Sequence, residues 1–204
     1  AFEGEFYTHK LMTPMFTPTD VDYGAPKVFL AAVGPLMTQV AGEVADGVII
    51  HSFTTEKYLR EVTLPAIDKG LAVHGRSRDD FEVSYPGFVV TGQTEEAFNA
   101  SKAAVCKQIA FYGSTPAYAN VLGLHGWGDL QPELNRLSKQ GEWDQMGTLI
   151  TDDILSAFAV VTEDVDAVVD SFKTRYGDMV DRTMMSLPAK DADHGKELLA
   201  RLRA

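Results

Sequence analysis

The stretch best suited to holding a ligand is Ala31-Ala32-Val33-Gly34, which ends the apolar run KVFLAAV and stands directly before Pro35. Side chains this small let a flat or charged ligand come close to the main chain, and Gly34 permits a sharp turn. Pro35 fits the first turn of a helix, where its missing N–H leaves no bond unmade. The free N–H groups of a helix start suit an anionic ligand. Any strand-to-helix loop also needs small residues, so spacing alone leaves ligand binding and simple loop geometry both open. His51 is the strongest titratable candidate, because it follows Val48-Ile49-Ile50 at the C-terminal end of a second strand. An imidazole there could donate a proton to a substrate carbonyl or a hydrogen bond to a cofactor phosphate. A structural histidine satisfied by its neighbours is the competing reading. Tyr85, Tyr112, His125 and Trp127 are candidates for lining a substrate pocket, since an aromatic face stacks on a planar ring. Plain packing is the alternative for each. Tyr112, with Ser114 and Thr115, is also placed to reach a cofactor tail.

Other chemistries find no support. His9, His74 and His194 are far apart and lack an E-x-x-H or C-x-x-C context, so no metal site is expected. No G-x-S-x-G, Walker A or G-x-G-x-x-G pattern occurs. Cys106, the only cysteine, sits in a helix-like run and reads as a small buried hydrophobe. The pairs Asp79-Asp80 and Asp152-Asp153 read as loop or helix-start charges rather than paired acid and base.

The elements that must position these residues alternate. Strand-like runs at 27–33, 46–52, 81–92 and 179–188 are separated by helical patterns, with the third run interrupted at Pro86-Gly87. Such alternation implies parallel βα units. Four units would make half of a (β/α)8 barrel or a small open doubly wound sheet. Residues 111–160 are too long for a simple crossover and read as a helical insertion, folded over the barrel mouth or making an oligomer contact.

The chain has 204 residues, 45% of them hydrophobic, and a formal net charge of −11. An acidic balance argues against nucleic acid or an anionic membrane as partner. No apolar run is long enough to span a bilayer, and the first ten residues do not read as a signal peptide, so a cytoplasmic location is expected.

Residues 26–52 resemble the bacterial luciferase-like monooxygenase superfamily. Its pattern P-x-V-x-x-A-A-x-G-P, followed by A-G and A-D-G, is matched by Pro26, Val28, Ala31, Ala32, Gly34, Pro35, Ala41, Gly42, Ala45, Asp46 and Gly47. Upstream, EGEFYTHKLMTP is similar to the family's hairpin. The resemblance continues downstream to VDRTMMSLP. Residues 114–118 and 125–130 are most similar to the subfamily that uses the deazaflavin coenzyme F420, with FMN as the alternative cofactor.

This likeness implies that the chain is the C-terminal portion of a (β/α)8 barrel, one partial domain over residues 1–204 with the N-terminal strands absent. It implies contact between cofactor and residues 31–34, and substrate contact at His51 and Thr54. It also implies that further acid/base residues lie on strands this chain lacks. The expected activity is hydride transfer between F420 and a small organic substrate, in a homo-oligomer, with little or no turnover by this fragment alone. The rivals are an FMN-dependent monooxygenase and a non-catalytic truncated or interaction half barrel.

Overall fold

In the computed structural model, which describes residues 2–11, 13–17, 19, 22–184 and 187–204, the chain opens with a short antiparallel hairpin. Its strands are β1 (Phe2–Glu3) and β2 (Thr8–His9). The first βα unit follows. β3 (Phe29–Ala32) leads through Gly34 into α1 (Pro35–Val44), and β4 (Gly47–Ile50) pairs with β3 in parallel, Leu30 opposite Val48 and Ala32 opposite Ile50. The next helix begins as α2 (Glu56–Tyr58), widens into a π-helical turn over Leu59–Thr63 and continues as α3 (Leu64–Val73). Pro65, which has no N–H to donate, stands just beyond the widened turn. A π-turn is a common accommodation for a lost i→i−4 bond.

The run 81–92 forms two strands, β5 (Glu82–Tyr85) and β6 (Phe88–Val90). The break has a cause in each intervening residue. Pro86 cannot donate to a ladder, and Gly87 leaves room for Phe172, whose ring would lie 2.6 Å from any Cβ placed there. Five helices follow: α4 (Glu95–Gly113), α5 (Ala119–Gly123), α6 (Leu130–Gln140), α7 (Trp143–Thr148) and α8 (Asp152–Phe158). The chain ends with β7 (Ala159–Val161), α9 (Val168–Tyr176), β8 (Arg182–Thr183) and α10 (Ala192–Arg203). Hydroxyl caps start several of these helices: Thr55, Thr94 and Thr151 accept the N–H groups of Tyr58, Ala97 and Ile154.

The sheets correct the sequence-based expectation of four strands making half of a (β/α)8 barrel. The described residues hold eight strands interleaved with helices, in three sheets. Beside the hairpin there is a parallel sheet in the order β3-β4-β5-β8 and a parallel pair β6-β7. The strand β7 was missed because AFAVV continues the apolar spacing of the helix before it. Of the expected last strand at 179–188, only Arg182–Thr183 is extended and paired, and Met185 and Ser186 lie outside the described residues. Met12, within the expected hairpin segment, also lies outside them.

Among the described residues two large apolar cores form, beside a small one of Val165, Val169 and Leu198. One lies between the sheet and its helices, with Val48, Ile50, Ile67, Val83, Tyr85, Phe172 and Tyr176 buried together. The other lies within the helical stretch, around Phe53, Ile109, Leu122, Leu134, Leu137, Met146 and Phe158. Helices α1 and α3 cross closely because glycine stands at both contact points. A Cβ on Gly42 would lie 2.6 Å from the Ile67 carbonyl oxygen, and one on Gly70 would lie 2.1 Å from that of Gln39. Backbone cannot move aside as a side chain can. Gly70→Ala is therefore expected to destabilise the chain by about 1–3 kcal/mol, read as a lower urea midpoint at unchanged slope.

Candidate functional site

The loops leaving the C-terminal ends of β3 and β4 lie side by side because the two strands are parallel neighbours. On the first, strand alternation points Ala32 into the core and leaves Ala31 exposed, while Val33 and Gly34 are half-buried. Gly34 has φ −94° and ψ 162°, an extended conformation open to any residue. What glycine supplies here is therefore space rather than a turn, since a Cβ built on it would meet nothing within 4 Å. The Gly34 carbonyl accepts both the N–H and the hydroxyl of Thr38, at 3.1 and 3.0 Å, and fixes the helix start.

On the second loop, His51 is half-buried. Its Nδ1 accepts the Phe53 N–H at 3.0 Å, so the proton of the neutral ring sits on Nε2. The ring packs edge-on against Tyr112 at 4.6 Å and lies 5.0 Å from Tyr118. Burial lowers the pKa of His51 below the ordinary histidine value, because the low-polarity surroundings disfavour the imidazolium. Thr54 is 3% exposed and its Oγ1 has no hydrogen-bond partner among the described residues. It borders a narrow cleft of about 10 Å³ shared with Ala32, Val33, Thr38 and His51. That is roughly the room of one water.

One step out, Thr55 Oγ1 accepts the Tyr58 N–H at 3.1 Å and lies 2.8 Å from His125 Nε2, to which its hydroxyl proton can be given. His125 stacks flat on Trp127, with ring centroids 4.5 Å apart and planes 8° from parallel. Lys57 donates to the Leu124 carbonyl at 3.0 Å. Burial, and then the Lys57 charge, lower the pKa of His125.

The structure thus brings Ala32, Val33, His51 and Thr54 around one narrow cleft, with Tyr112 added through its ring contact. His125 and Trp127 stand one step out, joined to the group through Thr55 and Lys57. Tyr85 stands elsewhere, buried in the sheet core edge-on to Tyr176 at 5.1 Å and beside Phe172. Sequence reasoning missed Thr38 and Tyr118. Thr38 was detectable as a hydroxyl one helical turn after Gly34, whereas Tyr118 comes from a distant loop and carries no local signal. Among the described residues no group of three or more potential metal ligands comes together, and no helix is long and apolar enough to cross a membrane. Cys106 is buried, and burial raises its thiol pKa, so its nucleophilic form is disfavoured.

Known proteins resemble this chain in sequence and in fold. An uncharacterized protein of Mycobacterium tuberculosis is 55% identical over 183 residues, covering 90% of this chain and 54% of its own length. A 5,10-methylenetetrahydromethanopterin reductase of Archaeoglobus fulgidus is 30% identical over 78% of this chain and 46% of its own. The chain therefore spans about half the length of the curated relatives it matches. Among solved structures, the coenzyme F420 dependent tetrahydromethanopterin reductase from Methanopyrus kandleri has a similar fold, with a TM-score of 0.64 at 24% identity, over 85% of this chain and 48% of that one. The family model for luciferase-like monooxygenases matches residues 1–182, almost the whole chain, and so corrects the expectation that only a C-terminal portion is involved. The chain belongs to the luciferase-like monooxygenase family.

Proposed function

We propose that this chain provides part of the cofactor and substrate seat of an oxidoreductase that passes a hydride between the deazaflavin coenzyme F420 and a small organic substrate. The observation that carries this reading is the convergence of the two loops. Open space over Gly34 and an exposed Ala31 adjoin a neutral, proton-bearing His51 Nε2 and an orphan Thr54 hydroxyl. A flat anionic cofactor suits such a place, because the main chain of residues 31–34 can be approached closely and the start of α1 favours negative charge. When bound, the deazaflavin supplies two-electron hydride chemistry, and the protein supplies position and electrostatics.

Within that assignment the side chains have distinct tasks. Gly34 leaves the cofactor's approach clear. Thr54 offers a hydroxyl to a ligand or an ordered water, which relieves a buried polar group that otherwise lacks a partner. His51, held by the Phe53 N–H, presents its Nε2–H as a donor to a substrate oxygen. Tyr112 packs edge-on against that ring. His125 and Trp127 fix the wall of the site rather than its floor, through Thr55 and Lys57. The preference for F420 over FMN rests on the likeness of residues 114–118 and 125–130 to the deazaflavin subfamily. The fold neighbour from Methanopyrus kandleri is itself F420 dependent.

Titration of the chain with F420 and, separately, with FMN, followed by cofactor fluorescence, tests the proposal. Binding of F420 is expected, weakened at least about tenfold in Gly34→Val, a change worth about 1.4 kcal/mol, with unchanged melting temperature. Binding of FMN alone would move the reading to a flavin monooxygenase.

Thr54→Val separates structure from function. The ligand-free chain is expected to be unchanged or stabilised by about 1 kcal/mol, since a buried orphan hydroxyl is removed, while cofactor or substrate affinity falls. Equal affinity in the variant would remove Thr54 from the site.

The depressed pKa of His51 gives a signed pH effect. The unfolded chain binds a proton near pH 6.5 and the folded chain only below that, so stability is complete above pH 6.5 and declines as the pH falls toward the lowered value. Protonation also places a hydrogen on Nδ1 and ends its acceptance of the Phe53 N–H. A His51→Gln variant is expected to lose this component of the acid destabilisation, measured by melting temperature between pH 7.5 and 5.

A further inference from the structure

The cleft between His51 and Thr54 has about 10 Å³ of room, enough for one water and for no organic molecule. The body of a substrate whose oxygen meets His51 Nε2 must therefore lie outside it. Tyr112 leads to a space of the right size. Its ring packs edge-on against His51 at 4.6 Å, and the same residue borders a groove of about 500 Å³ between α4 and α7. Ala104, Phe111 and Tyr112 of α4 wall the groove on one side, and Trp143 and Met146 of α7 wall it on the other. The rings form a series, with Tyr112 and Phe111 5.6 Å apart and Phe111 and Trp143 6.1 Å apart. Phe111 and Trp143 are 53 and 50% exposed, whereas the outward face of a surface helix is ordinarily polar. Gly147 brings the walls together. A Cβ there would lie 3.0 Å from Lys107 Cγ, so α7 comes close to α4 and Met146 is buried between them.

The polar groups beside the groove are already engaged. Lys107 donates to Asp144 at 2.6 Å, and the Gln108 amide donates to the Tyr112 hydroxyl at 3.3 Å. On the neighbouring loop Lys57 donates to the Leu124 carbonyl. A phosphate, sulfonate or carboxylate would meet no unpaired cation in this lining, and a polyhydroxylated body would face carbon. Small-molecule sites of such volume are typically lined by apolar and aromatic side chains with few polar groups.

We infer that this groove holds the body of the substrate, and that the body is a neutral, apolar ring or chain with its reacting oxygen at the His51 end. The inference rests on the oxidoreductase reading above and adds the substrate class to it. A flat ring stacks on Phe111 and Trp143. Continuity with His51 through Tyr112, and the lack of room in the cleft, select a substrate over a protein partner.

Nuclear magnetic resonance of the nitrogen-labelled chain, without cofactor, tests it with benzylacetone, butylbenzene, acetone and glucose 6-phosphate as probes. Trp143→Phe and His51→Gln identify the Trp143 indole and His51 imidazole signals by removing them. Benzylacetone is expected to move both signals along one saturation curve. Butylbenzene, which has no oxygen, is expected to move the Trp143 signal alone, and acetone and glucose 6-phosphate neither. Phe111→Ser, at an exposed position, is expected to bind benzylacetone at least about tenfold more weakly. Benzylacetone that moves Trp143 and leaves His51 unmoved marks an adventitious apolar site and overturns the inference. Equal response to glucose 6-phosphate, or no saturable shift, overturns it too. So does a wild type that sediments as a dimer while Phe111→Ser sediments as a monomer, because the face is then an interface between copies. Cofactor fluorescence titrates F420 separately. A chain that binds F420 and not benzylacetone loses this inference alone, whereas one that binds benzylacetone and not F420 loses the cofactor and keeps the groove.

Discussion

The side chain of Phe53 ties the two halves of this molecule together. It leaves a loop anchored in the sheet core yet is buried in the helical core, stacked on Phe158 at 4.7 Å and on Tyr118 at 5.9 Å. Helix α4 ends with a glycine where Phe53 enters, and a Cβ on Gly113 would lie 3.4 Å from the ring. The N–H of the same residue holds His51. The apolar contact that docks the helices onto the sheet thus also sets the tautomer and direction of the site's titratable ring. Truncating Phe53 would cost the several kcal/mol usual for a buried aromatic, and it would release His51 as well.

The electrostatic character of the site follows from that docking. Tyr112 and Tyr118 cover the imidazole with aromatic surface, and the removal of water makes the neutral form the stable one. Around this weakly polar centre the polar contacts are local and few: Thr38 to Gly34, Thr55 to His125, Lys57 to Leu124. The long acidic surface of the chain contributes little at that range, because exposed charges are screened within about 10 Å at ordinary salt.

What could be read from the sequence was what is encoded within one or two turns of chain. The β3–α1 passage shows in its small residues and Pro35, and the start of α4 shows in Thr94. The contacts that make a site from these pieces come from residues 60 to 70 positions apart, such as His51 with Tyr112 or Thr55 with His125, and no local pattern announces them. Tyr85 shows the converse. Its aromatic ring suggested a pocket, with plain packing as the alternative, and strand alternation puts it on the same side as Val83, which faces the core. The strand count failed for a similar reason, since Pro86 and Gly87 split one run while β7 hid in the tail of a helix.

The widened turn at Leu59–Thr63 carries a constraint of register. A π-turn holds one residue more than an α-turn in the same rise. Removing one residue there would let the segment 56–73 relax into continuous α-helix with its two ends in nearly the same relative orientation, whereas one residue added to the regular turns of α3 would rotate the first turn of the segment by about 100° relative to the rest of α3. Thr55 and Lys57, which reach His125 and the Leu124 carbonyl, would then point away from them. The length of this helix is thereby locked to the position of a loop seventy residues later in the chain, and a single-codon insertion at an apparently ordinary helical position would unseat that loop without touching it.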